Sequence, residues 1–216
     1  MTNAARRHTP RPVIESRDPR LINVLGALAM ALADGIRDAT EAAAGMTGAA
    51  PAALVALHQF LAGRPAEDLA QATGLTHSGA VRLIDRLVDA GLVERRPGRD
   101  ARSLSIVLTP RGRALSRKVT VARAAVIEAA LGGFDSADCR TLLRLTDTLV
   151  ANVTARRLRA PARAEEPTGW LCRLCDLRSC GRPEGECPAA NAAQDEPVAG
   201  GRNLRRNAEG LPRSER

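Results

Sequence analysis

The 216-residue sequence predicts a mainly α-helical fold of the α+β class, with two short helices and a small β-hairpin set between longer helices. Three observations predict this fold. Apolar residues recur every three or four positions before residue 61 and after residue 109, which is the spacing of buried helix faces. Leu104, Ile106 and Leu108 instead recur at every second position, as in a half-buried strand. Glycine and proline occur where one pattern gives way to the next.

The central stretch, residues 65–112, begins with the two short helices. Pro65 suits the opening position of the first helix, because the N–H that proline lacks is unpaired there anyway. Two acidic residues follow in the first turn, where carboxylates favour the helix dipole, and Gly74 ends the helix. Thr76 is placed to cap the second helix by accepting a backbone N–H, so that helix is expected to begin near His77.

The second helix of this stretch has one apolar stripe and one polar face. The stripe consists of Val81, Ile84, Leu87 and Val88. An Arg side chain can fork onto guanine in the major groove, and a small polar or His side chain near the helix start can reach bases or phosphates. The candidate DNA contacts on this helix are Thr76, His77, Ser78, Arg82 and Arg86. Asp85 and Asp89 interrupt the polar face, and Asp85 is expected to hold a neighbouring Arg in an ion pair.

A hairpin follows the second helix, which Gly91 ends. Leu92 and Val93 begin its first strand, and residues 97–100 form the turn. Its basic residues are Arg95, Arg96, Arg99 and Arg102. An isolated hairpin of this kind would be interpreted as a solvated loop. Beside a capped helix pair it predicts a winged helix-turn-helix, whose basic tip can lie along or in the minor groove of DNA.

Several short motifs occur together in this region, and they are Asp85-Arg86-Leu87, Gly91-Leu92-Val93, Arg95-Arg96, Asp100-x-Arg102, and Leu108-Thr109 with Gly112. They resemble the multiple-antibiotic-resistance-regulator (MarR) family of bacterial transcription factors, over about residues 20–159. The resemblance implies a triangular homodimer on a palindromic operator, usually a repressor, often released by a small ligand or by cysteine oxidation. It also implies that Asp100 and Arg102 brace the wing and contact DNA, and that an effector pocket lies beside the dimer helices.

The net charge of +8 is concentrated on the proposed DNA-reading region. From Thr76 to Lys118 there are ten basic and four acidic residues, whereas from Pro161 onward nine Arg balance nine acids. Counterion release would therefore favour binding of this region to nucleic acid. The sequence has only two Phe, one Trp and no Tyr, so a stacking platform for single strands is not expected. Duplex DNA is the predicted partner.

Longer helices flank the winged helix. Their apolar stripes are Leu21, Leu25, Leu28, Leu32 and Ile36; Leu115, Val119, Ala122, Val126 and Ala130; and Leu142, Leu145, Leu149 and Val153. This surface exceeds what one winged helix needs, which predicts a homodimer. A further helix from Pro51 carries His58, interpreted as a packing residue with ligand binding as the alternative. Cys139 is interpreted as an inert packing residue, with a redox switch as the alternative.

The chain is expected to divide into four parts. These are a disordered arm at residues 1–19, the winged-helix and dimerisation region at 20–159, a linker and cysteine knob at 160–190, and a disordered tail at 191–216. The uncharged apolar run at residues 21–33 is too short to span a bilayer, and no signal pattern precedes it. We therefore expect no membrane association and a cytoplasmic location.

Four cysteines lie close together at the spacing C-x2-C-x4-C-x6-C, and they are Cys172, Cys175, Cys180 and Cys187. In a cytosolic protein this pattern favours a metal site over disulfides. Four thiolates can hold one zinc ion or one [4Fe–4S] cluster per chain, and nearby Arg residues can offset the negative charge. The sequence leaves zinc, iron–sulfur and free thiols or disulfides open. We expect the metal state to change how the knob packs and thereby the spacing of the two recognition helices.

The predicted function is a sequence-specific, DNA-binding transcriptional regulator. An enzyme with a DNA-binding appendage is not favoured, because the three histidines are scattered and the sequence has neither a phosphate-binding glycine loop nor a nucleophile–base pair. A protein-interaction module that uses the winged helix and the cysteine knob is the alternative. Salt distinguishes it from the first function, since duplex binding weakens steeply with ionic strength.

Overall fold

The structure is a computed structural model, and it describes residues 18–97, 104–159 and 169–195. Within these ranges the chain forms the helices α1 Pro19–Ala44, α2 Ala50–Gln59, α3 Ala66–Thr73, α4 His77–Asp89, α5 Pro110–Ala130, α6 Ser136–Leu158, α7 Gly169–Cys172 and α8 Pro188–Asp195, and the strands β1 Val93–Pro97 and β2 Leu104–Leu108. The predicted arm, linker and tail fall almost wholly outside the described residues. So do Arg99, Asp100 and Arg102 at the tip of the wing.

The core of the winged helix is aliphatic and lies between α2, α3, α4 and the hairpin. Its largest fully buried side chains include Leu54, Leu57, Leu69, Leu87 and Ile106. The buried stripe of α4 is displaced around the helix from the predicted one, because Ala80 and Leu83 are buried whereas Val81 and Val88 are only half-buried. Ile84 and Leu87 belong to both the predicted and the observed stripe.

The predicted ends of α3 and the predicted start of α4 are confirmed to within one residue. Thr76 caps α4, since its Oγ1 accepts a hydrogen bond from the Gly79 backbone at 3.1 Å. Gly74 ends α3 in the left-handed region at φ 71°. Pro65 lies one position before the first residue of α3 rather than on it.

The predicted hairpin forms, although Pro97 of the predicted turn belongs to β1, and the hairpin gains a partner that the sequence did not indicate. β1 and β2 are antiparallel, with Val93 opposite Leu108 and Arg95 opposite Ile106. The backbone at Arg64 bridges to Ile106 on the other side, where the Gly63 N–H donates to the Ile106 carbonyl at 3.0 Å. The loop between α2 and α3 therefore fixes the base of the wing to the helix-turn-helix.

The start of α5 is bound tightly to the turn after α4. Thr109 Oγ1 accepts from the Gly112 N–H at 3.0 Å, and the same hydroxyl donates to the Gly91 carbonyl at 2.8 Å. A Cβ on Gly112 would lie 2.0 Å from the carbonyl oxygen of Leu92, so only glycine fits this position. This junction sets the direction in which the long helix leaves the winged helix.

The long helices leave large apolar surfaces uncovered in the single chain. The C-terminal part of α1 packs on α5, where a Cβ on Gly35 would lie 3.3 Å from Val126. In contrast, six apolar residues near the start of α1 are exposed, and they are Leu21, Ile22, Val24, Leu25, Leu28 and Met30. The predicted stripe of α6 is also exposed, with Leu149 at 45 % and Val153 at 53 %.

α1 is longer than the apolar run from which its length was predicted. Among the described residues, α1 is one helix whose length and composition would allow it to cross a membrane. The expectation that the apolar segment here is too short to span a bilayer was therefore wrong. The reason is that small and apolar residues continue beyond Asp34 in the same helix of 26 residues. Length and composition alone do not distinguish a membrane span from a helix that packs against protein.

The C-terminal boundary also differs from the prediction. The predicted tail began at residue 191, but α8 continues through Asp195. Ala189 and Ala193 lie four residues apart on one face of α8 and are buried, and α8 packs on α6. Alanine gives a weak apolar pattern, which is why the sequence did not indicate this helix.

Candidate nucleic-acid interface

The exposed face of α4 carries all five of its predicted DNA contacts. Thr76, His77, Ser78, Arg82 and Arg86 are exposed, while the opposite face of the helix is buried in the core. The hydroxyls of Thr76 and Ser78 lie 3.3 Å apart at the N-terminus of the helix. The core therefore holds one face of α4 and leaves the polar face free to enter a groove.

Arg82 and Arg86 are the two cations on this face. None of the ion pairs found among the described residues involves either of them. An exposed guanidinium without an acidic partner has all of its N–H groups available to a base edge or a phosphate.

Asp85 forms the ion pair predicted for it. Its Oδ1 accepts from Arg95 Nη2 at 2.5 Å, which joins the recognition helix to the first strand of the wing. Arg95 was predicted to contact DNA, and the structure places it against α4 instead of extended from the wing. The pair neutralises a carboxylate that would otherwise repel phosphate, and this applies whether or not Arg95 also contacts DNA.

The other described wing cation is also paired. Arg96 Nη2 lies 3.0 Å from Glu94 Oε2 on the same strand, and both side chains are at least half-exposed. Exposed pairs of this kind contribute little stability, so Arg96 can exchange Glu94 for a phosphate at low cost. His77 Nδ1 lies 3.7 Å from Glu67 Oε1, a contact that strengthens when the imidazole is protonated.

A cavity of about 240 Å³ lies between α2, the base of the wing and the start of α5. Leu57, Val107 and Leu108 give it apolar walls, and its polar side chains are His58, Arg96 and Arg113. Burial lowers the pKa of His58, and the positive charges of Arg117, Arg113 and Arg178 lower it further. The sequence indicated His58 as a candidate ligand-binding residue. It did not indicate the neighbours of His58 in the cavity, because they come from three other elements.

The four C-terminal cysteines lie close together without forming a closed coordination shell. Cys172 and Cys187 are buried, Cys175 and Cys180 are half-buried, and all are free thiols. Among the residues that the structure describes, no three His, Cys, Asp or Glu side chains already converge to hold a metal ion. Cys139 is exposed, so the interpretation of it as a packing residue is wrong for the single chain.

Comparisons with known proteins agree with this geometry. Residues 44–103 match the MarR family. The structure of RV1404 from Mycobacterium tuberculosis is similar at 27 % identity and a TM-score of 0.54, over 65 % of this chain and 96 % of that one. The MarR family transcription regulator SP03579 is similar at 23 % identity and a TM-score of 0.54, over 65 % and 93 %.

A third solved structure has a bound ligand. CouR from Rhodococcus jostii RHA1, solved with p-coumaroyl-CoA, is similar at 22 % identity and a TM-score of 0.50, over 63 % of this chain and 94 % of that one. At such identities the last two structures support the fold alone. A comparison with curated proteins finds no match. Residues 44–103 of this chain are therefore similar to the MarR family, and the fold of the described residues is that of solved MarR-family structures.

Proposed function

We propose that this chain is a sequence-specific regulator of transcription that binds duplex DNA as a homodimer, with α4 in the major groove. The observation that carries the proposal is the exposed face of α4, where Arg82 and Arg86 have no acidic partner among the described residues. Asp85, the acid between them in sequence, is neutralised by Arg95. The face therefore presents net positive charge and donors of the type that read guanine.

The wing supplies the second part of the interface. Its described cations are Arg95, which pairs with Asp85 of α4, and Arg96, and the sequence of its tip adds the basic residues Arg99 and Arg102. The helix in the major groove would read the bases. The basic hairpin over the adjacent backbone or minor groove would fix the position of the protein on the duplex. Asp100 and Arg102 keep their predicted roles in bracing the wing.

The exposed apolar surfaces of α1 and α6 support the homodimer. Scattered exposed apolar residues need no explanation, but these two helices present contiguous stripes several turns long. A second copy of the chain would cover both stripes at once in a twofold arrangement. Two recognition helices related by a twofold axis match a palindromic operator with half-sites about one helical turn apart. We infer that the bound dimer represses by occupying the operator.

The cavity beside His58 is the proposed site of a small-molecule effector. Its volume of about 240 Å³ is below the roughly 300–1,000 Å³ of sites for drug-sized ligands. Arg96 and Arg113 suit a carboxylate, and Leu57 and Val107 suit an apolar ring or chain. A small organic acid therefore fits better than a whole CoA ester of the kind bound by CouR.

Benzoate is a suitable probe for this pocket. We expect it to raise the melting temperature of the wild-type protein, and the Arg96→Ala variant to lose the shift because the carboxylate has lost a cation. Arg140→Ala, an exposed Arg on α6, should keep the shift. Equal shifts in all three proteins would show that the pocket is not the effector site. The metal or redox state of the cysteines would then be the proposed signal that controls DNA binding.

The DNA-binding proposal is tested by selecting duplexes from a random pool with the full chain and measuring affinity for the selected sequence. Arg82→Ala and Arg86→Ala should each weaken binding about 10- to 100-fold, since a bidentate base contact is worth about 1–3 kcal/mol. The matched control is again Arg140→Ala. If no sequence is enriched, or if the control weakens binding as much as Arg86→Ala, α4 is not the reading element.

A further inference from the structure

The segment of residues 169–195, here termed the cysteine segment, has an interior made largely of sulfur. Its buried side chains are Cys172, Cys187, Ala189 and Ala193. Trp170, Leu171, Leu174 and Leu177 are only half-buried. So little apolar volume does not fold a segment of this length by the hydrophobic effect, and small domains of this kind usually depend on disulfides or a metal.

Two of the four thiols are held by the turns on which they lie. Cys175 Sγ donates to the Leu171 carbonyl at 3.9 Å, and Cys180 Sγ donates to the Leu177 carbonyl at 3.6 Å. Each thiol turns about a single side-chain bond, so changes of rotamer can turn these sulfurs from the carbonyls towards a shared centre.

A tight loop at residues 181–186 returns the chain towards Cys172, whose sulfur Arg182 contacts. Gly181 and Gly185 have φ values of 71° and 77°, which favour glycine, and the Glu186 N–H donates to the Gly181 carbonyl at 2.7 Å. A Cβ on Gly181 would lie 2.9 Å from the Cβ of Glu186. The glycines thus allow the tight turn after which Cys187 enters the interior of the segment.

Cations surround the sulfurs. Arg182 Nη1 lies 3.9 Å from the Cys172 sulfur. The positive charges of Arg123, Arg173 and Arg182 also act on the Cys175 sulfur. A site with four thiolates carries excess negative charge, and these Arg side chains are placed to offset it.

We propose that Cys172, Cys175, Cys180 and Cys187 hold one metal–thiolate centre, and that its loading fixes the cysteine segment against α2 and α3. The centre is one zinc ion or one [4Fe–4S] cluster, both of which use four cysteine thiolates. The proposal does not depend on DNA binding. Metal binding would supply the folding free energy that the segment's own apolar side chains do not provide.

The segment contacts the winged helix directly. The Leu177 N–H donates to Gln59 Oε1 at 3.2 Å, and Leu174 packs on the cluster of Ala44, Val55 and Val119. A Cβ on Gly169 would lie 3.3 Å from the Phe60 ring and 3.5 Å from Ala72 in α3. Because of these contacts, a conformational change in the cysteine segment would also alter the packing against α3, the first helix of the helix-turn-helix.

The first test combines metal analysis with thiol counting on the full chain, purified without oxygen. We expect one metal centre per chain and only one reactive thiol, the exposed Cys139, with all five reactive after denaturation in a chelator. One zinc per chain and a colourless protein identify zinc, whereas iron with acid-labile sulfide and a brown colour identifies the cluster. Five reactive thiols in the native protein without metal, or disulfides without metal, would overturn the proposal.

The second test uses variants and hydrogen exchange. Cys175→Ser should lose the metal, and the control Cys139→Ser should retain it. Chelation should speed exchange at least tenfold both in residues 169–195 and in the α2–α3 region they contact, because the docking contacts are lost. Gln59→Ala should speed exchange in the segment while the metal content stays at the wild-type level. Metal loss that leaves exchange in α2 and α3 unchanged would contradict the docking.

Discussion

The winged helix and the cysteine segment have different interiors. The winged helix buries Leu54, Leu57, Leu69, Ile84 and Leu87, which are large aliphatic side chains in mutual contact. The cysteine segment buries two sulfurs and two alanine methyls. The comparison indicates two sources of folding free energy in one chain. The winged helix is stabilised by apolar burial, whereas the cysteine segment is proposed to be stabilised by metal binding.

The largest expected effect is on the winged helix. Gly112→Ala would place a Cβ 2.0 Å from the Leu92 carbonyl oxygen, and this contact can be relieved only by moving α5 away from the turn. We expect a loss of about 3 kcal/mol in the free energy of unfolding, at the upper end for overpacking. Urea unfolding measures it.

Gly26→Ala is the control for that substitution. A Cβ there has nothing within 4 Å, and alanine favours a helix interior over glycine by about 0.5–1 kcal/mol. Its stability should be equal to or above that of the wild type. Similar losses in the two variants would mean that the junction at Thr109 does not hold the core.

Metal removal should affect the cysteine segment first and the winged helix second. We expect chelation to abolish the protection of residues 169–195 and to lower the main melting temperature by only a few degrees, because the aliphatic core remains while the contacts at Gln59 and Leu174 are lost. Calorimetry with and without chelator measures the shift. Collapse of the whole fold on chelation would show that the two regions do not have separate sources of stability.

A smaller effect is expected at the helix cap. Thr76→Ala removes the acceptor for the Gly79 N–H and should cost about 1 kcal/mol. Thr76→Ser keeps the acceptor and should restore most of the loss. Denaturant unfolding of the two variants measures the cap, and equal losses would show that the methyl group matters more than the hydroxyl.

The smallest effect is a pH dependence at His58. Its pKa is lowered in the folded protein by burial and by nearby Arg charges, so the unfolded chain binds more protons near its ordinary value of about 6.5. This contribution to stability is present above about pH 6.5 and is lost as the pH falls below that value through the lowered pKa of the folded protein. Urea unfolding of the wild type and His58→Gln across this range should show a shallower pH dependence in the variant. A steeper dependence would contradict the assigned direction.

How much the sequence predicted depends on how local each interaction is. The cap at Thr76, the turn at Gly91 and the alternation in β2 depend on neighbouring residues, and all three were predicted correctly. The bridge from Arg64 to Ile106 and the cavity around His58 join residues far apart in sequence, so no local pattern indicated them. The helix α8 was missed because its buried face consists of alanine.

The candidate DNA contacts show the same division. The exposure of Arg82 and Arg86 followed from the helical spacing of their apolar neighbours. The pairing of Asp85 with an Arg was predicted, but its partner came from β1 across ten residues of sequence. The spacing of the cysteines predicted a cluster, and the contacts that dock it onto α2 and α3 could be seen only in three dimensions.

The most direct test of the central claim, that the exposed face of α4 reads duplex DNA, is the salt dependence of binding to the selected duplex. The logarithm of the affinity of the wild type should fall steeply and linearly with the logarithm of salt concentration, as phosphate contacts require. Arg86→Ala should keep that slope and lose discrimination against substituted base pairs, whereas Arg96→Ala should keep discrimination and reduce the slope by about 1. A wild-type affinity that does not change with salt would contradict the claim and favour a protein partner for the winged helix.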